Sequence, residues 1–301
     1  MALAFARAVR AEGTLAAYGR SWRQWQRWCT AHCCRPLPAA PETVADWLAE
    51  QAAAGRSVSR VRGLLAAVLF VHRFKGVSFQ RAHPLMDAVL AGIARSCARP
   101  SQPARPLTLS ELRRLVRADA GGGLKERRDR ALILVGFWGA LRRSEIAALG
   151  LSGRSRVSIN GEGLLLHLTG TKAAQWSTAV AIPRRPGPLC AARAVERYVG
   201  MAKLSKGPLF RAISKSGELL ERPLSAAGIR HILKERFAAA GLAPERLSAH
   251  SLRAGFITAA ANAGAAEHVI ARTSRHRSAE ILRSYIRSAN AFTDNAHRLI
   301  R

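Results

Sequence analysis

Apolar residues recur at intervals of three and four along most of the chain, the stripe that an amphipathic helix buries. Thr14–His32 carries Tyr18, Trp22, Trp25 and Trp28 near that spacing. Pro41–Ala54 opens with a proline and an early acid, both favourable in a first helical turn. In Ser57–Phe74, Val61, Leu64, Leu65, Val68 and Leu69 form the apolar side, leaving Arg56, Arg60, Arg62 and Arg73 for the polar side. His83–Ala94 completes a predicted four-helix bundle. Helical spacing already accounts for the tryptophans, so they are expected in the core rather than as platforms for stacked bases.

The pattern then breaks at Ala98–Pro106, where three prolines remove backbone donors and disfavour helix at the residues before them. An extended, exposed linker is expected over 99–106, between domains at 1–98 and 107–301. Thr108 and Glu111 have capping-box spacing, and Leu107 with Leu112 that of a hydrophobic staple. Helices are predicted at Ser110–Ala118, Arg128–Leu149 (broken around Gly139), Leu189–Met201, Ser225–Ala240, Ser251–Gly264, Ala266–Arg272 and Ser278–Ala289. Leu164–Leu168 and Ser177–Ile182 are short β runs around a polar turn with Gly170, Thr171 and Lys172, which predicts a hairpin. The sequence is thus mainly α with a small antiparallel sheet.

Composition narrows the partner. The 301 residues are 49% hydrophobic and 22% charged, which is globular rather than disordered. The longest nearly uncharged stretch, Ala131–Leu141, is about half the ~20 residues of a membrane span, so a buried helix is expected and no membrane partner. The N-terminus lacks the basic-then-apolar order of a signal peptide, and a cytoplasmic location is expected. Cys29, Cys33, Cys34, Cys97 and Cys190 are expected as free thiols packed as small apolar residues. The crowded Cys29–His32–Cys33–Cys34 cluster has no second pair at zinc-finger spacing, and no metal is expected there. Charge changes the picture most. Forty-eight Lys and Arg against nineteen Asp and Glu leave +29. Fifteen basic residues face five acidic ones before Pro106, and thirty-three face fourteen after it. Both halves therefore favour a polyphosphate partner. No P-loop or Rossmann glycine pattern supports ATP or NAD.

Phosphodiester exchange without a metal needs a nucleophile, cationic donors for the nonbridging oxygens and an acid for the leaving 5′ oxygen. Arginine suits the second task because its planar fork reaches two oxygens and stays charged. Four segments offer such groups. GALRRSEIAAL places Arg142 just past the Gly-broken helix, with Glu145 one turn on. Lys172 lies at the predicted hairpin tip. SAHSLRAGF puts His250 and Arg253 on one helix face. TSRHRSAEILRSYIR offers His276 and, nine residues later, Tyr285. Taken singly, each has an ordinary reading: a surface arginine, a solvated lysine, a chance His-x-x-Arg, a core tyrosine.

Together, in this order and spacing, Arg142, Lys172, His250, Arg253, His276 and Tyr285 resemble the tyrosine recombinase (phage integrase) family. RDRALILVGFWGALRRSEIAAL, HSLRAGF and RHRSAEILRSYIR carry the resemblance across Leu107–Ile300, and SVSRVRGLLAAVLFVHR extends it to the first half. It implies a helical-bundle (SAM-like) core DNA-binding domain and a catalytic domain of the DNA breaking-rejoining enzyme fold. It also implies the roles: Arg142 and Arg253 grip the scissile phosphate, Lys172 protonates the leaving 5′ hydroxyl, and His250 handles the nucleophile's proton. His276 holds the phosphate, Tyr285 forms the 3′-phosphotyrosine, and Glu145 orients the pocket by pairing with a cation or backbone group. Of the adjacent Arg142 and Arg143, the following Ser144–Glu145 favour Arg142. Before His276 the chain reads Thr-Ser-Arg where the family more often has Leu-Gly.

The resemblance further implies no cofactor, and double-stranded DNA with inverted-repeat arms as partner. A monomer when free would become a homo-tetramer on synapsed DNA. In the tail Ile286–Arg301, Phe292, Leu299 and Ile300 either dock on a neighbouring subunit or fold back in cis. A topoisomerase or hairpin-forming resolvase shares this chemistry, although the compact second half without long insertions favours a recombinase. A non-catalytic DNA-binding factor has no reason to keep all six groups, and a metal nuclease lacks a carboxylate cluster.

Overall fold

The computed structural model describes residues 12–97, 105–118, 122–169, 178–276, 279–280, 282–283 and 285. The chain divides into two units, Met1–Gln102 and Pro103–Arg301. No helix among the described residues is long and apolar enough to cross a membrane.

The first unit is helical: α1 Glu12–Ala31, α2 Pro41–Ala53, α3 Val58–Phe74 and α4 Pro84–Ser96. Pro41 and Pro84 stand in first turns, where their missing N–H costs nothing. Ser57 caps α3 by accepting from the Arg60 N–H at 3.3 Å. Trp25, Trp47, Leu48, Leu64, Val68 and Met86 are fully buried in one cluster with Cys29. Trp25 stacks on Trp28, and the Trp28 indole N–H donates to Glu50 at 2.6 Å. The tryptophan stripe is therefore core with one wet edge. His72, 1% exposed, is also structural: its Nε2 accepts from the Ala39 N–H at 3.0 Å, and its Nδ1 lies 2.9 Å from the Val68 carbonyl.

The second unit has helices α5 Leu109–Ala118, α6 Leu124–Trp138, α7 Arg143–Ala148, α8 Ala191–Met201, α9 Ala226–Ala239, α10 Ala249–Asn262 and α11 Glu267–Ser274. Thr108 and Glu111 make the capping box: the Thr108 N–H donates to Glu111 Oε2 at 2.9 Å, and the Glu111 N–H to Thr108 Oγ1 at 3.2 Å. Leu107 and Leu112 are both fully buried. A three-stranded antiparallel sheet runs β1 Arg156–Ile159, β2 Gly163–Leu168, β3 Thr178–Pro183, with Leu164 opposite Ile182 and Leu166 opposite Val180. The antiparallel pair β4 Arg211–Ile213 and β5 Leu219–Pro223 stands apart from it. β1, β4 and β5 were not expected from the sequence. They are four, three and five residues long, too short for a legible alternation.

The long predicted helix Arg128–Leu149 is two helices, because the chain turns at Gly139–Leu141. Gly139 keeps a right-handed conformation, and the residue with positive φ is Ala140 (φ 46°). Ala131–Phe137 of α6 are all buried, so the helix is a fixed post delivering Arg142 at its far end. Below it, Arg128 and Asp129 form a buried ion pair at 2.6 Å, and Arg236 from α9 reaches the same carboxylate at 2.8 Å. Helix α10 packs against α6. The Leu107 N–H donates to the Ser251 carbonyl at 3.0 Å, joining the start of the unit to the first turn of α10.

That junction explains Gly255. A Cβ there would run into the Leu107 carbonyl and come within 2.9 Å of the Phe137 ring, whereas one at Gly63 of α3 meets nothing within 4 Å. Gly255→Ala should destabilise the second unit by about 1–3 kcal/mol. Gly63→Ala should stabilise the first by about 0.5–1 kcal/mol, because helical glycine carries an entropic cost. Denaturant unfolding of the two variants, compared with wild type, checks both signs.

Candidate active site

Three segments converge in the second unit. The first is the turn at the end of α6, with Ala140, Arg142 and Glu145. The Arg142 N–H donates to Glu145 Oε2 at 2.8 Å, and its guanidinium to Glu145 Oε1 at 2.8 Å. Glu145 is buried and binds both the backbone and the side chain of Arg142, one turn before it. Arg143 is exposed.

The second segment is the start of α10. Ser248 and Ser251 cap it reciprocally, Ser248 Oγ accepting from the His250 N–H and Ser251 Oγ from the Ser248 N–H. The cap fixes the turn carrying His250 and, three residues on, Arg253. Arg253 is 1% exposed and donates to the Ala140 carbonyl at 2.6 Å. Burial first, then the neighbouring cations Arg142 and Arg275, disfavour its charged form.

The third segment follows α11. Ser274 Oγ donates to the Ile270 carbonyl at 2.7 Å, so toward His276 Nδ1, 2.8 Å away, it acts as acceptor. That assigns the Nδ1–H tautomer, and the Arg253 guanidinium lies 3.3 Å from both ring nitrogens. The His276 imidazole is pushed down to about 4 by burial, then by Arg253, Arg142, His250 and Arg275. Residue 285 is helical, and Tyr285 packs against an apolar cluster of Ile257, Ala261, Ile270 and Leu282. Its hydroxyl lies 2.8 Å from His250 Nε2. Burial raises the Tyr285 pKa, which Arg253 partly opposes, while burial followed by Arg253 and Arg142 lowers that of His250. At neutral pH the pair is thus a phenol donating to a neutral imidazole.

Arg142, Glu145, His250, Arg253, His276 and Tyr285 therefore meet in one place. Lys172 lies outside the described residues, in the segment joining the paired ends Leu168 and Thr178. Phe292, Leu299 and Ile300 of the tail also lie outside them. One residue that sequence reasoning passed over belongs to the cluster. Arg275, 7% exposed, donates to Glu145 Oε2 at 2.8 Å, to the Gly139 carbonyl at 3.1 Å and to the Ala140 carbonyl at 3.2 Å. Its only trace in the sequence is the unusual Thr-Ser-Arg before His276.

The chain is similar to known proteins along most of its length. The model of the phage integrase family matches residues 105–291. The integrase/recombinase xerD homolog of Selenomonas ruminantium is 30% identical over 292 residues, covering 95% of this chain and 85% of that protein. Among solved structures, a lambda integrase dimer bound to a COC′ core site matches with a TM-score of 0.61 at 15% identity, covering 95% of this chain and 75% of that one. The XerH recombinase bound to palindromic difH substrate matches with a TM-score of 0.59 at 16% identity, covering 87% and 71%. The chain belongs to the phage integrase family of tyrosine recombinases, enzymes of site-specific DNA recombination.

The lowered histidines set the sign of a pH effect. A folded state that resists protonation at His276 and His250 loses ground once the unfolded chain takes up protons near its ordinary ~6.5. Stability of the second unit should fall as pH drops from about 6.5 toward about 4, the His276 value. His276→Gln should flatten that slope. Thermal unfolding across pH, with imidazole NMR to locate the titration, checks it.

Proposed function

We propose that this chain cleaves and rejoins duplex DNA by forming a 3′-phosphotyrosyl link at Tyr285, without metal or ATP. The observation that carries the reading is the Tyr285 hydroxyl hydrogen-bonded to His250 beside Arg142, Arg253 and His276. The Tyr285 oxygen attacks phosphorus while its proton passes to His250 Nε2. The bond from phosphorus to the 5′ oxygen breaks, and that oxygen leaves with a proton from Lys172. Arg142 and Arg253 hold the nonbridging oxygens, whose charge grows in the transition state, and His276 braces the same phosphate. The phosphodiester's energy stays in the tyrosyl ester, so rejoining by the reverse path needs no nucleotide. Glu145 orients Arg142.

The charge of +29 supports duplex DNA as the partner for both units, the first being the core-binding domain. The palindromic substrate of XerH supports inverted-repeat arms here, with a monomer assembling into a tetramer on synapsed DNA. A cytoplasmic site of action fits that partner.

A nicked suicide duplex carrying the cognate site tests the reading. Wild type should form a covalent adduct that resists EDTA, and Tyr285→Phe should bind the duplex but form none. An adduct surviving that substitution would remove Tyr285 as nucleophile. Arg142→Ala and Arg253→Ala should each slow cleavage by about 10²–10³-fold, the cost of losing one transition-state donor, with far smaller losses in DNA affinity. Relaxation of a plasmid lacking the site would point to a topoisomerase instead.

A further inference from the structure

Arg275 occupies a backbone conformation that a side chain does not favour. It follows α11 with φ 56° and ψ 43°, the left-handed region where glycine sits without cost and other L-residues pay of order 1–3 kcal/mol. Its guanidinium is also buried within a cluster that already holds two cations. Glycine would remove both penalties, so the side chain must contribute something the site requires.

Its contacts indicate what. Glu145 places Oε1 on the Arg142 guanidinium, and its Oε2 is shared between the Arg142 N–H and Arg275. Without Arg275, the Arg142 guanidinium would be the sole cation on that carboxylate among these contacts, and a neutralised Arg142 is a poor ligand for phosphate. Arg275 also donates to the Ala140 carbonyl, the acceptor that anchors Arg253. Ala140 is itself left-handed, so its carbonyl direction depends on what holds it. One guanidinium thus acts on both arginines assigned to the phosphate.

We propose that Arg275 is a positioning residue: it shares Glu145 with Arg142, so that the carboxylate does not fully offset the Arg142 charge, and fixes the Ala140 carbonyl behind Arg253, keeping both guanidiniums aimed at the scissile phosphate. This rests on the function proposed above. It predicts a loss in the chemical step, not in DNA binding.

The test uses the full-length chain on the nicked duplex, measuring single-turnover adduct formation and DNA affinity separately. Arg275→Gly relieves the backbone and should slow cleavage by roughly 100-fold, the scale of an ångström-sized misplacement, with affinity within about threefold. Millimolar guanidinium should restore part of the rate, and equal sodium chloride should not. In a Glu145→Gln background, where there is no carboxylate charge to divide and only the Ala140 contact is left to lose, Arg275→Gly should cost distinctly less than in wild type. Arg275→Lys, which keeps the charge but loses the fork, should fall between wild type and Arg275→Gly, and it serves if the glycine variant does not fold. Cleavage by Arg275→Gly at the wild-type rate, or a full loss in the Glu145→Gln background, overturns the proposal. Absence of any adduct with wild type would instead overturn the function on which it rests.

Discussion

The site depends on keeping a positively charged arginine, Arg253, almost wholly out of water before any phosphate arrives. Its anchors are one backbone carbonyl at 2.6 Å and the edge of an imidazole at 3.3 Å. Neither carries a negative charge, and removing a cation from water costs several kcal/mol unless it is well paired. The carboxylate nearby, Glu145, already serves Arg142 and Arg275. Three guanidiniums around one carboxylate leave a standing excess of positive charge in a low-dielectric place. A phosphodiester entering there supplies the missing anion, and a transition state with more charge on its oxygens fits better still.

The surrounding architecture reads as the support for that excess. An α6 buried along Ala131–Phe137 resists displacement of its end, where Ala140 and Arg142 sit. The close approach of Gly255 to the Leu107 carbonyl holds α10 against the start of the unit. The two serines capping α10 fix the turn that presents His250. Separately, Arg128 and Arg236 pair with Asp129 and Glu126, two cations with two carboxylates, so that network has a different character: its charges are satisfied internally and it asks for no ligand.

Local chemistry made part of this legible in the sequence. Proline at Pro41, the Thr108–Glu111 box and the apolar spacing of Val61 through Val68 each act over a few residues, and each appears where expected. Glu145 pairs with a cation and a backbone N–H, the pairing that the family resemblance implied. What escaped was either too short or too distant. β4 and β5 pair with each other across a short connection without a long alternating run to announce them. The glycine in the turn drew attention, yet the left-handed residue is Ala140. Arg275 finds Glu145 across 130 positions of sequence, a separation over which no spacing rule operates. Only the oddity of an arginine before His276 hinted at it.

The protonation states join these features into one resting condition. The environment that disfavours further positive charge keeps His276 and His250 neutral, because each faces Arg253 and Arg142 after its own burial. Burial meanwhile holds Tyr285 as a phenol, so its hydroxyl has a proton to give and His250 a lone pair to take it. An anionic phosphate would reverse part of that balance. By offsetting the arginines it makes an imidazolium at His250 less costly. On the proposed mechanism, the same anion that the guanidiniums attract therefore readies His250 to take the proton that attack on it releases. On the proposed mechanism the pocket's excess charge gives it affinity for phosphate and, by disfavouring an imidazolium at His250, withholds the base until that anion arrives.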